Sequence, residues 1–463
     1  MSELRLTLAW IAEAVRGSLR GGQPGLEVAE VVTDSRSLQP GDLFIALRGP
    51  NFDGHDFAAA ALAGGAAAVV VERGRVPAGG AAIEVDDTLL ALQALAGAVR
   101  AASGTTVVAI TGSAGKTTTK EAIAALLSTQ YRVVKNKGNL NNHIGLPLSL
   151  MQLRSRPDIA VMELGMNHAG EIRTLVAIAA PDVRVWTNVG DAHIGFFASA
   201  EAIADAKAEI LEDAGADGVL VCNADDPRIV ARAAAFGGRV LTFGEAGAAT
   251  VRAQQVEDLG VAGMRARVST PAGEAAIATP LLGRGNLSNV LAAMAVAIHF
   301  GVPLADVAAA ASRLRPADRR GAVTRLKDDI TLIDDSYNSS PSALRRALDV
   351  LAHESQAVRK VAVLGEMLEL GDHARRLHAD CGRAAAAAGL HRLFAVGGEP
   401  ARALAEAAVA AGMPEPAVDY FQRSADAAPV VAREARPGDV ILVKGSRGTR
   451  TDLVVDRLVA EHG

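Results

Sequence analysis

Residues Gly112 to Thr118, Gly-Ser-Ala-Gly-Lys-Thr-Thr, gather two glycines, one ammonium and three hydroxyls in seven positions. Those residue types at that spacing suit a polyphosphate. Gly112 and Gly115 let backbone N–H groups turn toward an anion, and a helix starting here adds its partial positive charge. Lys116 can set its charge between terminal phosphates, and the Thr117 hydroxyl can reach Mg²⁺. The general pattern G-x-x-x-x-G-K-[ST] would need glycine at position 110, where the chain has Ile110. The loop is two residues short of it. The plain alternative is a tight turn with a surface lysine. Context favours the phosphate loop, because an apolar strand precedes it and a helix with Ile123, Leu126 and Leu127 on one face follows.

Three further residues could do chemistry. Glu163 ends the apolar run DIAVMEL, a place from which an acid can face the metal of a bound nucleotide or simply meet solvent. His193 sits in the loop TNVGDAHIGFF; a lone loop histidine is usually structural, yet imidazole can hold a second divalent ion. Lys207 lies in an Ala-rich helix and reads, by itself, as a solvated cation.

The elements that must position these groups are strands alternating with helices. Residues 1–102 give a short helix, two apolar runs around Pro40-Gly41, and the strand AAAVVVE. From Ser103, TTVVAIT, DIAVMEL, VRVWTNVG and DGVLVCN read as buried parallel strands ending in polar loops, and LLGRGNLSNVLAAMAVAIHFG reads as a long helix. The basic, proline-containing RLRPADRRG is a linker and candidate hinge, after which ITLIDDSY, KVAVLGEM, HRLFAVGG and DVILVKGS resume the alternation. The fold class is α/β in three domains, 1–102, 103–315 and 316–463, with function at the C-terminal ends of the strands.

Composition narrows the classes. A chain of 463 residues, half of them apolar, can build two to four packed domains. A net charge of −5 gives no chain-wide attraction to nucleic acid. Two distant cysteines, Cys222 and Cys381, make no disulfide framework and suit a cytoplasmic location. No signal peptide and no apolar stretch of membrane-spanning length is read, so no membrane insertion is expected.

The short loop T-G-S-A-G-K-T-T resembles that of the Mur ligases and their folylpolyglutamate synthetase relatives. Other segments agree with that family in order: TDSRSLQPGDLFIALRGPNFDGHDF, GNLNNHIGLPLSLM, ELGMNHAGEI, GDAHIGFF, AKAEI, GRGNLSNVLAA, IDDSYNSSPSAL and VKGSRGTRTDLVV. The resemblance implies a UDP-sugar-binding first domain, a central ATP-binding domain with a mostly parallel sheet, and a Rossmann-like third domain that closes over the second. It implies that Ser35, Arg36 and Arg48 meet the uridine diphosphate end, and that Asn141 and Asn142 meet the muramoyl peptide. Gly112 to Thr118 would hold ATP phosphates, Asn286 and Asn289 would lie near adenine, and Arg320 rather than Arg319 would reach the phosphates. Asp335 would contact ribose, with Tyr337 and Asn338 against the adenine. Thr117, Glu163, His193 and Lys207 would hold Mg²⁺, Lys207 as a CO₂-derived carbamate. The ending K-G-S-R rather than K-G-H-E implies addition of D-alanyl-D-alanine to UDP-MurNAc-tripeptide, rather than of diaminopimelate or lysine to a shorter precursor. The family also implies a monomer. A nucleotide-switched regulatory protein is the alternative of another class, disfavoured by the small-molecule look of TDSR and DDSYN.

Overall fold

The computed structural model describes residues 3–192 and 194–463. By internal contacts it divides into two units, one of residues 1–110, 131–184 and 209–218, the other of 111–130, 185–208 and 219–463.

In the first unit, strands β1 (Ser18–Arg20), β2 (Val31–Val32), β3 (Leu43–Ile45), β4 (Ala68–Glu72) and β5 (Ala82–Val85) form a sheet of order β1-β5-β4-β3-β2. All neighbours are parallel except β1 and β5. The two runs around Pro40-Gly41 are therefore not a hairpin; β2 and β3 run the same way. The loops after β2, β3 and β4 leave from one end of the sheet. Phe44, Ala58, Ala61, Val69 and Val71 fill one core beside it. The unit also holds β6 (Thr106–Thr111) up to its last residue, β7 (Val133–Lys135) and β8 (Ile159–Glu163), with β8 parallel to both others. Every residue of β8 is buried, as a continuous apolar run with neighbours on both sides should be. β9 (Val183–Trp186) straddles the boundary.

In the second unit, β10 (Val219–Asn223), β11 (Arg239–Gly244) and β12 (Val251–Asp258) pair in parallel, and β12, β13 (Met264–Thr270) and β14 (Gly273–Thr279) form an antiparallel meander. β15 (Ala322–Arg325), β16 (Thr331–Asp335), β17 (Arg359–Gly365), β18 (Arg392–Val396), β19 (Val418–Phe421) and β20 (Asp439–Lys444) form a sheet of order β15-β16-β20-β17-β18-β19, parallel except at β15. Apolar clusters around Leu344, Leu364 and Leu393, and around Val363, Phe394 and Ile441, belong to it. The sheet order around β16, β20 and β17 places several loops, those after Asp335, Lys444 and Gly365, at one strand-end edge. Cys222 and Cys381 are buried free thiols, pushed up to about 11 and about 12 by burial, so neither is a ready nucleophile. No helix among the described residues is long and apolar enough to cross a membrane.

Candidate nucleotide and ligase site

The chain leaves β6 at Thr111, turns through Gly112–Gly115 and enters the helix Lys116–Leu127. Ile123, Leu126 and Leu127 are fully buried, each contributing about 1.5–3 kcal/mol that fixes the helix behind the turn. Both glycines are sterically required. A Cβ on Gly112 would sit 1.9 Å from Thr187 Oγ1. Gly115 caps the helix with φ +81°, and a Cβ there would meet Asn289 Oδ1 at 2.4 Å.

Side chains from the loop after β9 hold the turn. Ala114 N donates to Asn188 Oδ1 at 2.9 Å, and Asn188 Nδ2 donates to Ala114 O at 2.8 Å. Ser113 N donates to Asn188 O at 3.1 Å, and Gly190 N donates to Ser113 Oγ at 2.9 Å. Lys116 folds back to donate to Gly112 O at 2.9 Å, spanning the concavity where an anion would be cradled. Thr117 and Thr118 are buried at the first turn of the helix. External bracing by Asn188 and Gly190 is how a loop shorter than the general pattern keeps its shape. Neither residue was singled out from sequence, although TNVG follows an apolar run in the same way as TGSAG.

Lys207 is not a solvated cation. It is 1% exposed on the helix Ala200–Ala208, and burial, with the Lys116 charge adding to it, holds its amine well below the ordinary lysine value. His193 lies outside the described residues. Among the described residues no three His, Cys, Asp or Glu side chains gather as a metal cluster. Thr117 in the second unit and Glu163 in the first each offer an oxygen donor of the type Mg²⁺ takes beside substrate phosphates and water.

Asn289 is 5% exposed, faces Gly115, and donates to Asn286 Oδ1 at 3.1 Å; Asn286 in turn donates to Leu282 O at 2.9 Å. After β16, Asp335 accepts from Lys444 Nζ at 2.7 Å, and the same ammonium donates to Asn338 O at 3.0 Å. Lys444 is buried and pins the two backbone turns together. It stands opposite Asp335 in the β16–β20 register, a pairing that sequence reading did not contain. The Arg320 guanidinium lies 4.1 Å from the Tyr337 ring centroid, a cation–π stack, with Arg447 at 5.9 Å. Arg319, its neighbour, is committed elsewhere, to Asp452 at 3.3 Å and Asp456 at 3.2 Å.

In the first unit, Glu163 is 3% exposed and stands opposite Ile110, the residue from which the chain enters the phosphate turn. It accepts from Asn141 Nδ2 at 2.7 Å, and its backbone N donates to Asn136 Oδ1 at 3.0 Å. It is thus a buried, oriented carboxylate rather than a solvated one. Asn142 accepts from Gly145 N at 2.8 Å and from Ile144 N, at the start of the helix Gly145–Leu150, so it does capping work. Ser35, Arg36 and Arg48 sit in the loops after β2 and β3, at the same sheet end. Arg36 pairs with Asp34 at 2.6 Å, which holds the Asp34 carboxyl down at about 2; Arg48 pairs with Glu72.

Comparison with known proteins agrees over the whole chain. The model of the Mur ligase family, catalytic domain, matches residues 27–100; that of the Mur ligase middle domain matches 110–297; that of the Mur ligase, glutamate ligase domain, matches 319–447. A UDP-N-acetylmuramoyl-tripeptide–D-alanyl-D-alanine ligase of Bacillus subtilis (strain 168) is 37% identical, over 98% of this chain and 99% of its own. Among solved structures, MurF from Acinetobacter baumannii superposes with a TM-score of 0.90 at 33% identity, covering 99% of this chain and 100% of that one. MurF from Thermotoga maritima in complex with ADP gives 0.83 at 29% identity, covering 94% and 98%.

Proposed function

The chain belongs to the Mur ligase family, and from that premise we propose how its site works: it is an ATP-dependent ligase that joins D-alanyl-D-alanine to UDP-N-acetylmuramoyl-tripeptide, giving the pentapeptide precursor of peptidoglycan. The observation that carries the reading is the phosphate turn, with Gly112 and Gly115 sterically required, Lys116 folded back onto Gly112 O, and Lys207 buried. The full-length likeness to ligases named for this reaction supports the choice of acceptors.

The Ser113 and Ala114 N–H groups are spent on Asn188, so Lys116 and the backbone N–H groups at the start of its helix are assigned to the β- and γ-phosphates, where they neutralise charge as the phosphoryl group moves. The terminal carboxylate of the tripeptide attacks the γ-phosphorus; the bond to the bridging oxygen breaks, ADP leaves, and an acyl phosphate forms. The free amine of D-alanyl-D-alanine then attacks the activated carbonyl. The tetrahedral intermediate expels phosphate with the C–O electron pair, and the amine loses its proton. Water must be kept out, because an acyl phosphate hydrolyses readily.

Thr117, Glu163, His193 and Lys207 are assigned as Mg²⁺ ligands; a bound ion would supply charge neutralisation to phosphate oxygens. Lys207 suits carbamylation. Burial disfavours its ammonium form, and the unprotonated amine can attack CO₂, forming an N–C bond and releasing one proton; the resulting anion would interact favourably with the Lys116 ammonium where a second ammonium would be repelled. Arg320 on Tyr337 and the Asn286–Asn289 pair are assigned to the nucleotide, with Asp335, Asn338 and Lys444 shaping its ribose side. Ser35, Arg36 and Arg48 are assigned to the uridine diphosphate, with Asn141 and Asn142 near the peptide. Domains of 1–102, 103–315 and 316–463, a monomer and a cytoplasmic location complete the proposal.

The test offers UDP-MurNAc-tripeptide, D-alanyl-D-alanine and Mg-ATP and weighs the products. The reading expects the pentapeptide mass with one ADP per amide. Amide formation only with diaminopimelate or lysine on a shorter precursor would overturn it, as would phosphate release indifferent to both acceptors.

A further inference from the structure

We infer that Asp191 and Arg345 are positioning residues that tie the helix Pro341–His353 to the phosphate turn, so that ATP consumption stays coupled to amide formation. The inference rests on the proposed ligase function and adds to it a pairing of Asp191, in GDAHIGFF, with Arg345, which follows IDDSYNSSPSAL. All the groups involved lie within the second unit.

The helix is held at both ends in different ways. At its C-terminal end, Glu354 is 3% exposed and accepts from Val261 N at 2.9 Å. Gly260, with φ +59°, fits there only because it lacks a side chain; a Cβ would lie 2.3 Å from Glu354 Oε2. Along its length, Val350 and Arg346 press on Gly283 and Gly285 at the start of the helix that carries Asn286 and Asn289. This end is buried and close-packed, which fixes its place.

The N-terminal end is joined differently. Arg345 Nη2 donates to Asp191 Oδ2 at 3.0 Å, with the two side chains 42% and 32% exposed. Ser342 Oγ lies 3.0 Å from where a Cβ on Gly190 would be, and Gly195 N donates to Glu369 O at 3.0 Å. The residue before Asp191 is Gly190, whose N–H is bonded to Ser113 Oγ in the phosphate turn. A continuous run of bonds therefore leads from Ser113 through Gly190 and Asp191 to Arg345. Leu344, beside Arg345, is fully buried, so the helix is packed at this end too, and the half-exposed ion pair is the polar link through which the turn orients it. When the turn grips a nucleotide, Gly190 is held and Asp191 keeps its carboxylate on Arg345, so the helix keeps its orientation beside the turn.

The full chain is tested as Asp191→Asn, as Arg345→Gln, and as the exchange Asp191→Arg with Arg345→Asp, measuring ADP and amide separately. Each single variant is expected to keep its KM for ATP, lose about fivefold in amide kcat, in line with a partly exposed pair, and release ADP in excess over amide. The charge exchange is expected to bring the ADP-to-amide ratio back toward one. Single variants that make ADP and amide in equal amounts at the normal rate would overturn the inference. So would a fall in kcat that tracks lowered thermal stability with no excess ADP. If the Asp191 variants do not fold, Arg345→Gln on the partly exposed helix face decides alone. Should the unaltered chain make no amide, the ligase reading itself fails. The pair is then judged by hydrogen exchange: protection of the 341–353 amides by a non-hydrolysable ATP analogue, lost in Arg345→Gln, supports it, and unchanged exchange overturns it.

Discussion

Lys207 shows most clearly how environment rewrites a residue's meaning. In sequence it is one lysine in an Ala-rich helix; in the fold it is a buried amine with a depressed pKa beside Lys116. A proton-linkage prediction follows. In CO₂-free buffer, between the depressed folded pKa and the ordinary lysine value of 10.5, unfolding takes up one proton at this site. Because the unfolded state binds more protons, stability rises with pH across that window, and Lys207→Met should flatten the rise. Thermal unfolding against pH measures it; identical slopes would contradict the burial argument. Carbamylation predicts separately that Lys207→Ala loses activity and regains part of it with added short carboxylates. Full activity without them would remove the role. Gly115→Ala puts a Cβ at φ +81° and 2.4 Å from Asn289, a strain of about 1–2 kcal/mol before any clash is counted. We expect ATP KM to rise by at least tenfold, the equivalent of about 1.4 kcal/mol, while the KM for UDP-tripeptide stays put; equal change in both would contradict the assignment.

Elements decide what was legible. The strands VVAIT, DIAVMEL and DVILVKG announced themselves because parallel strands buried on both faces are continuous apolar runs, and β6, β8 and β20 are where that reading put them. The meander β12–β14 went unread: one face is solvated, its alternation is built from Ala, Arg and Thr, and no apolar run marks it. The two runs around Pro40-Gly41 were legible as strands, but their parallel direction shows only in the register of β2 and β3. The phosphate turn was legible by composition, but its braces Asn188 and Gly190 and the clamp Lys444 were not, because each acts across a strand pairing that single-sequence reading lacks. Position 319–320 is a test at this scale. Arg319 ties its segment to the last helix through Asp452 and Asp456, so Arg319→Ala should lower stability by roughly 1 kcal/mol with little effect on ATP KM. Arg320→Ala should do the reverse. Chemical denaturation and initial-rate kinetics on both variants separate the roles, and exchanged outcomes would reassign the phosphate contact to Arg319.

At the scale of the molecule, three substrates of different chemistry have to be handled by one chain: a nucleotide triphosphate, a uridine diphosphate sugar peptide and a dipeptide. The residues proposed for these substrates lie largely on strand-end loops, and the physical demand on the chemistry is that a reactive acyl phosphate must survive until an amine reaches it. The measurement that tests this most directly is isotope transfer. The tripeptide is labelled with ¹⁸O in its terminal carboxylate and turned over with ATP and D-alanyl-D-alanine, and the released phosphate is weighed. The account predicts one ¹⁸O atom in each phosphate formed, with transfer lost along with amide synthesis in Lys116→Ala. Unlabelled phosphate alongside a normal yield of amide would contradict it.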